Sequence, residues 1–362
     1  MKISLLKEIK PQESRVGLTP ANVAGLVRSG HEVMVETNAG ENSGFIDSEY
    51  SKAGATITDA KTAWETAEMV VKVKEPIASE YQYFRAGLII YTYFHLASNE
   101  PLTKALLENQ VVAVAYETVE LENHTLPLLT PMSEIAGRMA IQIAAHFSEK
   151  HQGGNGVLLG GIPGVRPGKI VIVGGGVVGM NAAQMAIGMG AEVVILDKSL
   201  ERVRYLDTLF GNTATVLASS ETAVAEETKT ADVVVGAVLI PGSVAPKVVT
   251  KEMVKNMKAG SVIIDVAIDQ GGCVETMDHY TTHEAPTYLV DNVIHYAVAN
   301  MPGSVARTAT IGLTNATARY ANVIADLGLQ QAMVKFPELA KGLNTKDGKI
   351  TCLGVQLAFP HL

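Results

Sequence analysis

Short apolar runs rich in valine and isoleucine recur along this chain, and many are followed by a segment whose apolar residues fall three or four positions apart. The runs suit strands buried on both faces, and the wider spacing places apolar side chains on one face of a helix. Residues 3–6 open the series as a strand, and a charged loop, 7–17, follows. Thr19-Pro20 then reads as a capping side chain ahead of a proline suited to the first helical position. Val23, Leu26 and Val27 continue it as an amphipathic helix ending near Gly30. Strands are expected at 31–36, 68–74, 87–94 and 111–115, and helices at 60–67 and 102–108. Pro76 stops the 68–74 strand, because proline has no N–H for a ladder. Strand and helix alternate, which predicts an α/β domain with a parallel sheet.

The pattern breaks at 126–131. Thr130-Pro131 repeats the cap-and-proline signal, and Ile135, Met139, Ile143 and Phe147 line one face of a helix long enough to bridge two domains. The glycine-rich stretch 153–168 contains Val157, Leu158, Leu159 and Ile162 and reads as an ordered loop. A second series follows, with strands at 170–173, 192–196, 232–235 and 261–264. Pro302-Gly303 closes it, and 306–327 is a second long helix. The fold class expected is α/β, with two Rossmann-like parallel-sheet domains joined by long helices. The second, 129–306, is inserted into a discontinuous first domain, 1–128 and 307–362. The tail 353–362 is expected to pack back on the first domain.

The stretch 169–180 carries the clearest chemistry. An apolar strand runs into Gly174, Gly176 and Gly179, and a helix of small residues follows. This is the G-x-G-x-x-G dinucleotide fingerprint. Gly174 permits a tight turn, Gly176 lets a pyrophosphate approach the backbone, and Gly179 lets helix and strand pack closely. The helix N-terminus offers unpaired N–H groups to the phosphates. Asp197 ends the next strand, eighteen residues after Gly179, where a carboxylate accepts from the ribose 2′-OH of NAD. The alternative is a glycine turn that binds no phosphate.

Composition narrows the function. The chain has 362 residues and a formal charge of −8, with no basic run, which argues against nucleic-acid binding. No apolar run is long enough to span a bilayer, and the first residues do not form a signal peptide. Only two cysteines are present, Cys273 and Cys352, so a reducing compartment is expected, and no metal-ligand spacing is visible.

Ligands of parallel sheets bind beyond the carboxyl ends of the strands. Arg15, Lys74, His95 and Asp269 lie at or just past such ends. Each has a plainer reading: a solvated loop cation, a strand-end charge beside Lys72, a core histidine, and a cap for the Gly271-Gly272 turn. Together they supply two cations for a small carboxylate, a group titrating near neutrality and a carboxylate. That set suits NAD chemistry on a small amino or oxo acid.

The segments 7–20, 71–76 and 93–97, the glycine motif, and the segments 265–272 and 298–302 closely resemble the bacterial alanine dehydrogenase family, collinearly to about residue 345. The resemblance implies reversible oxidative deamination of L-alanine to pyruvate and ammonium with NAD. It implies that Arg15 and Lys74 hold the substrate carboxylate and oxo group, that His95 is the general acid/base and that Asp269 is a second catalytic residue. Ser133, Val177, Val178, Asp197, Arg202, Ser219, Val238, Leu239, Val266, Ala267, Ile268, Asp269, Val298, Ala299, Asn300 and Met301 match cofactor contacts. The family pattern is a cytoplasmic homohexamer acting on small molecules, with no nucleic-acid or membrane partner. The pattern weakens over 277–285. The alternative is the NAD(H)-binding component of a proton-translocating transhydrogenase, which generally lacks counterparts of His95 and Asp269. An enzyme for a longer amino acid is a further alternative, separated only by pocket volume.

Overall fold

The structure is a computed structural model and describes residues 1–238 and 245–362, with Gln270 described by its backbone alone. The chain forms two units, Met1–Met132 with Val305–Leu362, and Ser133–Ser304. In chain order the first unit contributes β1 (Lys2–Leu5), β2 (Glu32–Glu36), β3 (Thr56–Thr58), β4 (Met69–Val71), β5 (Ile89–Thr92) and β6 (Val112–Ala115). The second contributes β7 (Lys169–Val173), β8 (Glu192–Asp197), β9 (Thr215–Ala218), β10 (Val233–Gly236), β11 (Val262–Asp265), β12 (Thr287–Val290) and β13 (Val293–Tyr296). The chain then returns to the first unit for β14 (Leu343–Lys346) and β15 (Lys349–Ile350).

The first sheet has the order β3-β2-β1-β4-β5-β6-β14-β15, and the second β9-β8-β7-β10-β11-β13-β12. Pairing is parallel except at β14 and β15 in the first sheet and β12 in the second. Both sheets begin in the middle, wind outward to one side and then continue on the other. The winding reverses between β1 and β4, and again between β7 and β10. In doubly wound sheets that reversal is where a ligand finds room beyond the strand ends. Central strands such as β4, β6, β10 and β11 are buried along their whole length, as parallel strands covered on both faces must be.

Local chemistry accounts for the helices that hold the sites. Thr19 caps the helix Pro20–Arg28 by accepting from the Asn22 N–H, and the Asn22 side chain accepts from the Thr19 N–H. The helix Ala306–Leu327 buries a stripe of small residues, among them Ala309, Thr310, Thr314, Thr317 and Ala321, and so lies close to what it covers. The helix Thr130–Phe147 begins differently from the cap expected at Thr130. A turn at 126–130 already precedes it, and the Thr130 hydroxyl donates back to the Leu126 carbonyl rather than capping.

The strand expected over 68–74 is shorter, ending at Val71. The Lys72 N–H still donates to the Tyr91 carbonyl of β5 at 3.2 Å, but the N–H groups of Val73 and Lys74 donate to the Glu8 carboxylate at 2.6 and 3.3 Å. The tail forms the helix Leu353–Ala358, and its Val355 is buried with Leu6, Trp64, Phe94 and Leu102 of the first unit. The short strand β3 and the helix Asp47–Lys52 had no pattern to announce them. β3 is a half-exposed edge, and the helix buries only Tyr50.

Candidate active site

In the first unit the candidate residues converge on the reversal of its sheet. Arg15 lies in the loop after β1 and Lys74 just past β4, strands whose ends pair directly at Leu5 and Val71. The Arg15 loop is fixed on several sides. The Ser43 hydroxyl donates to the Ser14 carbonyl at 2.6 Å, and the Val16 N–H donates to the Thr310 hydroxyl at 3.1 Å. Arg15 itself is buried and forked onto Glu13: Nε donates to Oε1 at 2.7 Å and Nη2 to Oε2 at 2.6 Å. Nη1 lies 3.0 Å from the Met132 sulfur. Burial pushes the Glu13 carboxyl up, but the hydrogen bonds and charge of Arg15 outweigh it and hold the pKa at about 2. Arg15 keeps its charge for the reciprocal reason: burial opposes it and Glu13 prevails.

Lys74 is half-buried and makes no ion pair among the described residues. Burial and then the nearby Arg15 charge lower its pKa. Its neighbour one alternation earlier, Lys72, has a different job. Lys72 is fully buried, with Nζ 3.4 Å from Glu8 and 3.1 Å from Glu80. Those two carboxylates overcome the burial that would otherwise discharge it. Lys72 is therefore a structural cation beneath the site.

His95 follows β5 and is exposed, with φ 51° and ψ 40°, a left-handed backbone that few histidines adopt. Glu117, beyond β6, holds it there. Its Oε1 accepts from the His95 N–H at 2.6 Å and from the Phe94 N–H at 3.1 Å. The imidazole stacks on Tyr93, with ring centroids 6.1 Å apart. Tyr93 in turn donates to the Leu128 carbonyl and lies within the field of the Arg15 charge. The structure thus brings Arg15, Lys74 and His95 to one end of one sheet, with Tyr93 stacked on the imidazole and within the field of the Arg15 charge. Sequence reading missed Glu13 and Glu117. An acid two residues before Arg15 was a visible signal for the first; nothing marked the second.

In the second unit the glycine turn joins β7 to the helix Val177–Gly188. Its glycines have distinct constraints. Gly174 has φ 104°, and a Cβ there would lie 2.6 Å from the Ala237 carbonyl oxygen. A Cβ on Gly179 would lie 1.8 Å from the Gly174 carbonyl oxygen. A Cβ on Gly176 would meet nothing within 4 Å. The protein leaves open the space in front of that residue, at the N-terminus of a twelve-residue helix, which fits a phosphate group. Asp197 closes β8. Its Oδ2 accepts from the Gly175 N–H at 2.7 Å and its Oδ1 from the Ser199 N–H at 2.8 Å, which ties the carboxylate to the turn. Arg202 also serves the turn: Nε donates to the Gly175 carbonyl at 2.5 Å, and its guanidinium lies over the Tyr205 ring.

The remaining candidates lie at the same end of the second sheet. Val177 and Val178 open the helix after the turn. Ser219 follows β9 and is held by its N–H to the Asp197 carbonyl at 2.8 Å. Val238 follows β10, while Leu239 lies outside the described residues. Val266, Ala267, Ile268 and Asp269 follow β11, and Val298, Ala299, Asn300 and Met301 follow β13. Ser133 is half-buried near the start of the helix Thr130–Phe147. That helix comes close to the turn, since a Cβ on Gly137 would lie 2.2 Å from the Val178 carbonyl oxygen. Asp269 is exposed, in a single helical turn closed by Gly271 at φ 90°. A different carboxylate, the buried Asp265, binds this loop together by accepting from the N–H groups of Ala267, Cys273 and Val274 at 3.0, 2.7 and 2.9 Å. Cys273 is buried beside it, its thiol pushed far up by burial and then by the Asp265 charge. No cluster of His, Cys, Asp and Glu fit for a metal occurs among the described residues.

Both units therefore place their candidate residues at strand ends. Family models described as the alanine dehydrogenase/PNT N-terminal and C-terminal domains match residues 4–136 and 140–353. The chain belongs to the alanine dehydrogenase/PNT family. It is 57% identical over 360 residues to alanine dehydrogenase of Geobacillus stearothermophilus, covering 99% of this chain and 96% of that one. It is 56% identical over 352 residues to alanine dehydrogenase of Methanococcus maripaludis, covering 97% and 94%. A solved L-alanine dehydrogenase superposes with TM-score 0.96 at 52% identity over 99% of each chain. A solved transhydrogenase from Sinorhizobium meliloti is more distant, with TM-score 0.82 and 25% identity over 98% of this chain and 99% of that one.

Proposed function

We propose that this protein is an L-alanine dehydrogenase, converting L-alanine, NAD⁺ and water to pyruvate, ammonium, NADH and a proton, reversibly. The observation that carries the reading is the meeting of Arg15 and Lys74 at the reversal of the first sheet, with His95 at the next strand end, in a chain so similar throughout to alanine dehydrogenases. Bound NAD supplies the hydride acceptor. The glycine turn, the helix N-terminus and Asp197 would hold it, with Ser133, Val177, Val178, Arg202, Ser219, Val238, Leu239, Val266 to Asp269 and Val298 to Met301 as further contacts.

Arg15 and Lys74 grip the substrate carboxylate and oxo group. A buried guanidinium fixed by Glu13 does this without losing side-chain freedom at the moment of binding. The substrate ammonium first gives up a proton; loss of hydride from the α-carbon then leaves a protonated imine, which water must attack. His95 takes the proton of that water and later gives a proton to the departing amine. Asp269 supplies a negative charge for the substrate ammonium. The same reading carries a cytoplasmic homohexamer with small-molecule partners.

The deciding experiment is alanine-dependent reduction of NAD⁺ by the purified protein. Turnover with L-alanine well above that with longer amino acids is expected; NADH binding without turnover would instead fit a nucleotide carrier. Asp197→Ala is expected to narrow a preference for NAD over NADP, measured as the ratio of kcat/KM, because a carboxylate repels a 2′-phosphate.

A further inference from the structure

We infer, on the proposed reading of His95 as the general acid/base, that Glu117 is a positioning residue for that group: its carboxylate takes the N–H groups of Phe94 and His95 past the end of β5 and so sets the direction of the imidazole through a left-handed main chain rather than through a bond to the ring.

The two residues meet where the ladder gives out. Thr92 of β5 pairs with Ala115 of β6, and Phe94 and Glu117 each lie two residues further on. There the Glu117 carboxylate stands in for a backbone partner. Its Oε1 accepts from the His95 N–H at 2.6 Å and from the Phe94 N–H at 3.1 Å, and its Oε2 lies 3.2 Å from the Phe94 nitrogen. The His95 carbonyl is held as well, accepting from the Ser98 N–H at 3.1 Å and from the Ser98 hydroxyl at 2.9 Å. Both backbone polar groups of His95 are thus taken while its φ is 51°.

The ring is held less firmly than the backbone. Among the described residues neither imidazole nitrogen is hydrogen-bonded, and the ring's aromatic contact is the stack on Tyr93. A histidine that moves protons is often oriented by a carboxylate on its second ring nitrogen. Here a carboxylate is present but binds the main chain. A left-handed backbone costs free energy for a residue with a Cβ, and it persists where its surroundings hold it. Without Glu117, two N–H groups lose their acceptor and the φ of His95 is free to turn negative. That rotation swings the Cα–Cβ bond, and with it the line of the imidazole relative to the strand end. Proton transfer needs hydrogen-bond reach, so a small displacement costs rate rather than binding.

The test is a double-mutant cycle on the full-length protein, with kcat and KM for pyruvate measured at saturating ammonium and NADH. Glu117→Ala is expected to lower kcat by about 10². Glu117→Asp keeps the charge but draws it back by one methylene, and should lower kcat by about tenfold or more. In both, KM for pyruvate and the dissociation constant for NADH stay within about twofold of the parent. If Glu117 acts by directing the imidazole, its loss costs nothing once the imidazole is gone. Either variant in the His95→Ala background should therefore have a kcat within about twofold of His95→Ala alone. A carboxylate that only finished the strand would lower kcat by the same factor in both backgrounds. Such additivity overturns the inference, as does a parent-like kcat in Glu117→Asp. Should Glu117→Ala fail to fold, the Glu117→Asp cycle decides alone. If the parent shows no turnover, or His95→Ala keeps the parent rate, the acid/base reading itself has failed and Glu117 loses its role with it, an outcome distinct from additivity.

Discussion

Asp265 and Asp269 share a loop and do different work. Asp265 is buried and spends its oxygens on three backbone N–H groups, so the loop depends on it for shape. Asp269 is exposed beyond it. If Asp269 served only the turn, asparagine would replace it well. Asp269→Asn is instead expected to lower the alanine oxidation rate by about 10² or more while leaving NADH fluorescence titration near the parent value. A loss of less than about tenfold, roughly 1.4 kcal/mol in the barrier, would make it structural. His95→Ala should lower kcat by about 10² to 10⁴ with NADH affinity nearly unchanged, and a joint collapse of both would move the proton-transfer role elsewhere. Glu13 adds a dependence on acid. Its pKa falls from 4.5 to about 2 on folding, so it binds protons less well when folded. Its contribution is complete above pH 4.5 and is lost as pH falls toward about 2, on the order of 3 kcal/mol in all. Denaturant midpoints measured from pH 5 downward should therefore fall more steeply for the parent than for Glu13→Gln; parallel curves would show that the pair is not coupled to folding.

The glycine turn shows how one element separates folding from binding. Gly179 is constrained by the protein itself, because a Cβ would collide with the Gly174 carbonyl. Gly176 is not, because a Cβ there meets only open space. Gly176→Ala should therefore keep the parent melting temperature and lose NADH affinity by about tenfold or more, roughly 1.4 kcal/mol. Gly179→Ala should lose both. Equal melting temperatures for the two variants would refute this division. The turn was legible because each of its requirements is local: a strand, a bend and a helix within a dozen residues. So was the helix Pro20–Arg28, whose cap lies beside it. Glu117 was not legible. It reaches back 22 residues to the His95 N–H, a contact that exists only once β5 and β6 lie side by side. Glu8 was hidden for the same reason, since it serves Val73 across 65 residues. β4 was read too long because the N–H groups of Val73 and Lys74 turn to that same carboxylate.

At the scale of the whole chain, alternation of strand and helix was enough to anticipate both sheets, because parallel strands announce themselves as apolar runs. The strands of the return, β14 and β15, were harder to see, since Leu343–Lys346 is mostly polar and pairs antiparallel with β6 one strand in from the edge. The tail matters to that unit's core through Val355, which is 3% exposed among Leu6, Trp64 and Phe94. Val355→Ala should destabilise the protein by about 1–2 kcal/mol, read as a lower denaturation midpoint, with NADH affinity intact; an unchanged midpoint would mean the tail contributes nothing to the core. The late pairing of β14 with β6 also bears on synthesis. Leu343 and Thr345 pair with Val114 and Ala113, so the edge of a wholly buried strand stays bare until Leu343–Lys346 has left the ribosome. The gap is roughly 230 residues, and at about 5–20 residues per second the nascent chain exposes that edge for on the order of ten to fifty seconds. An unprotected apolar edge is a template for pairing with other chains. The newly made protein therefore meets its greatest risk of aggregation while the inserted unit is still emerging, and a holding chaperone that covers β6 in that interval would raise its yield.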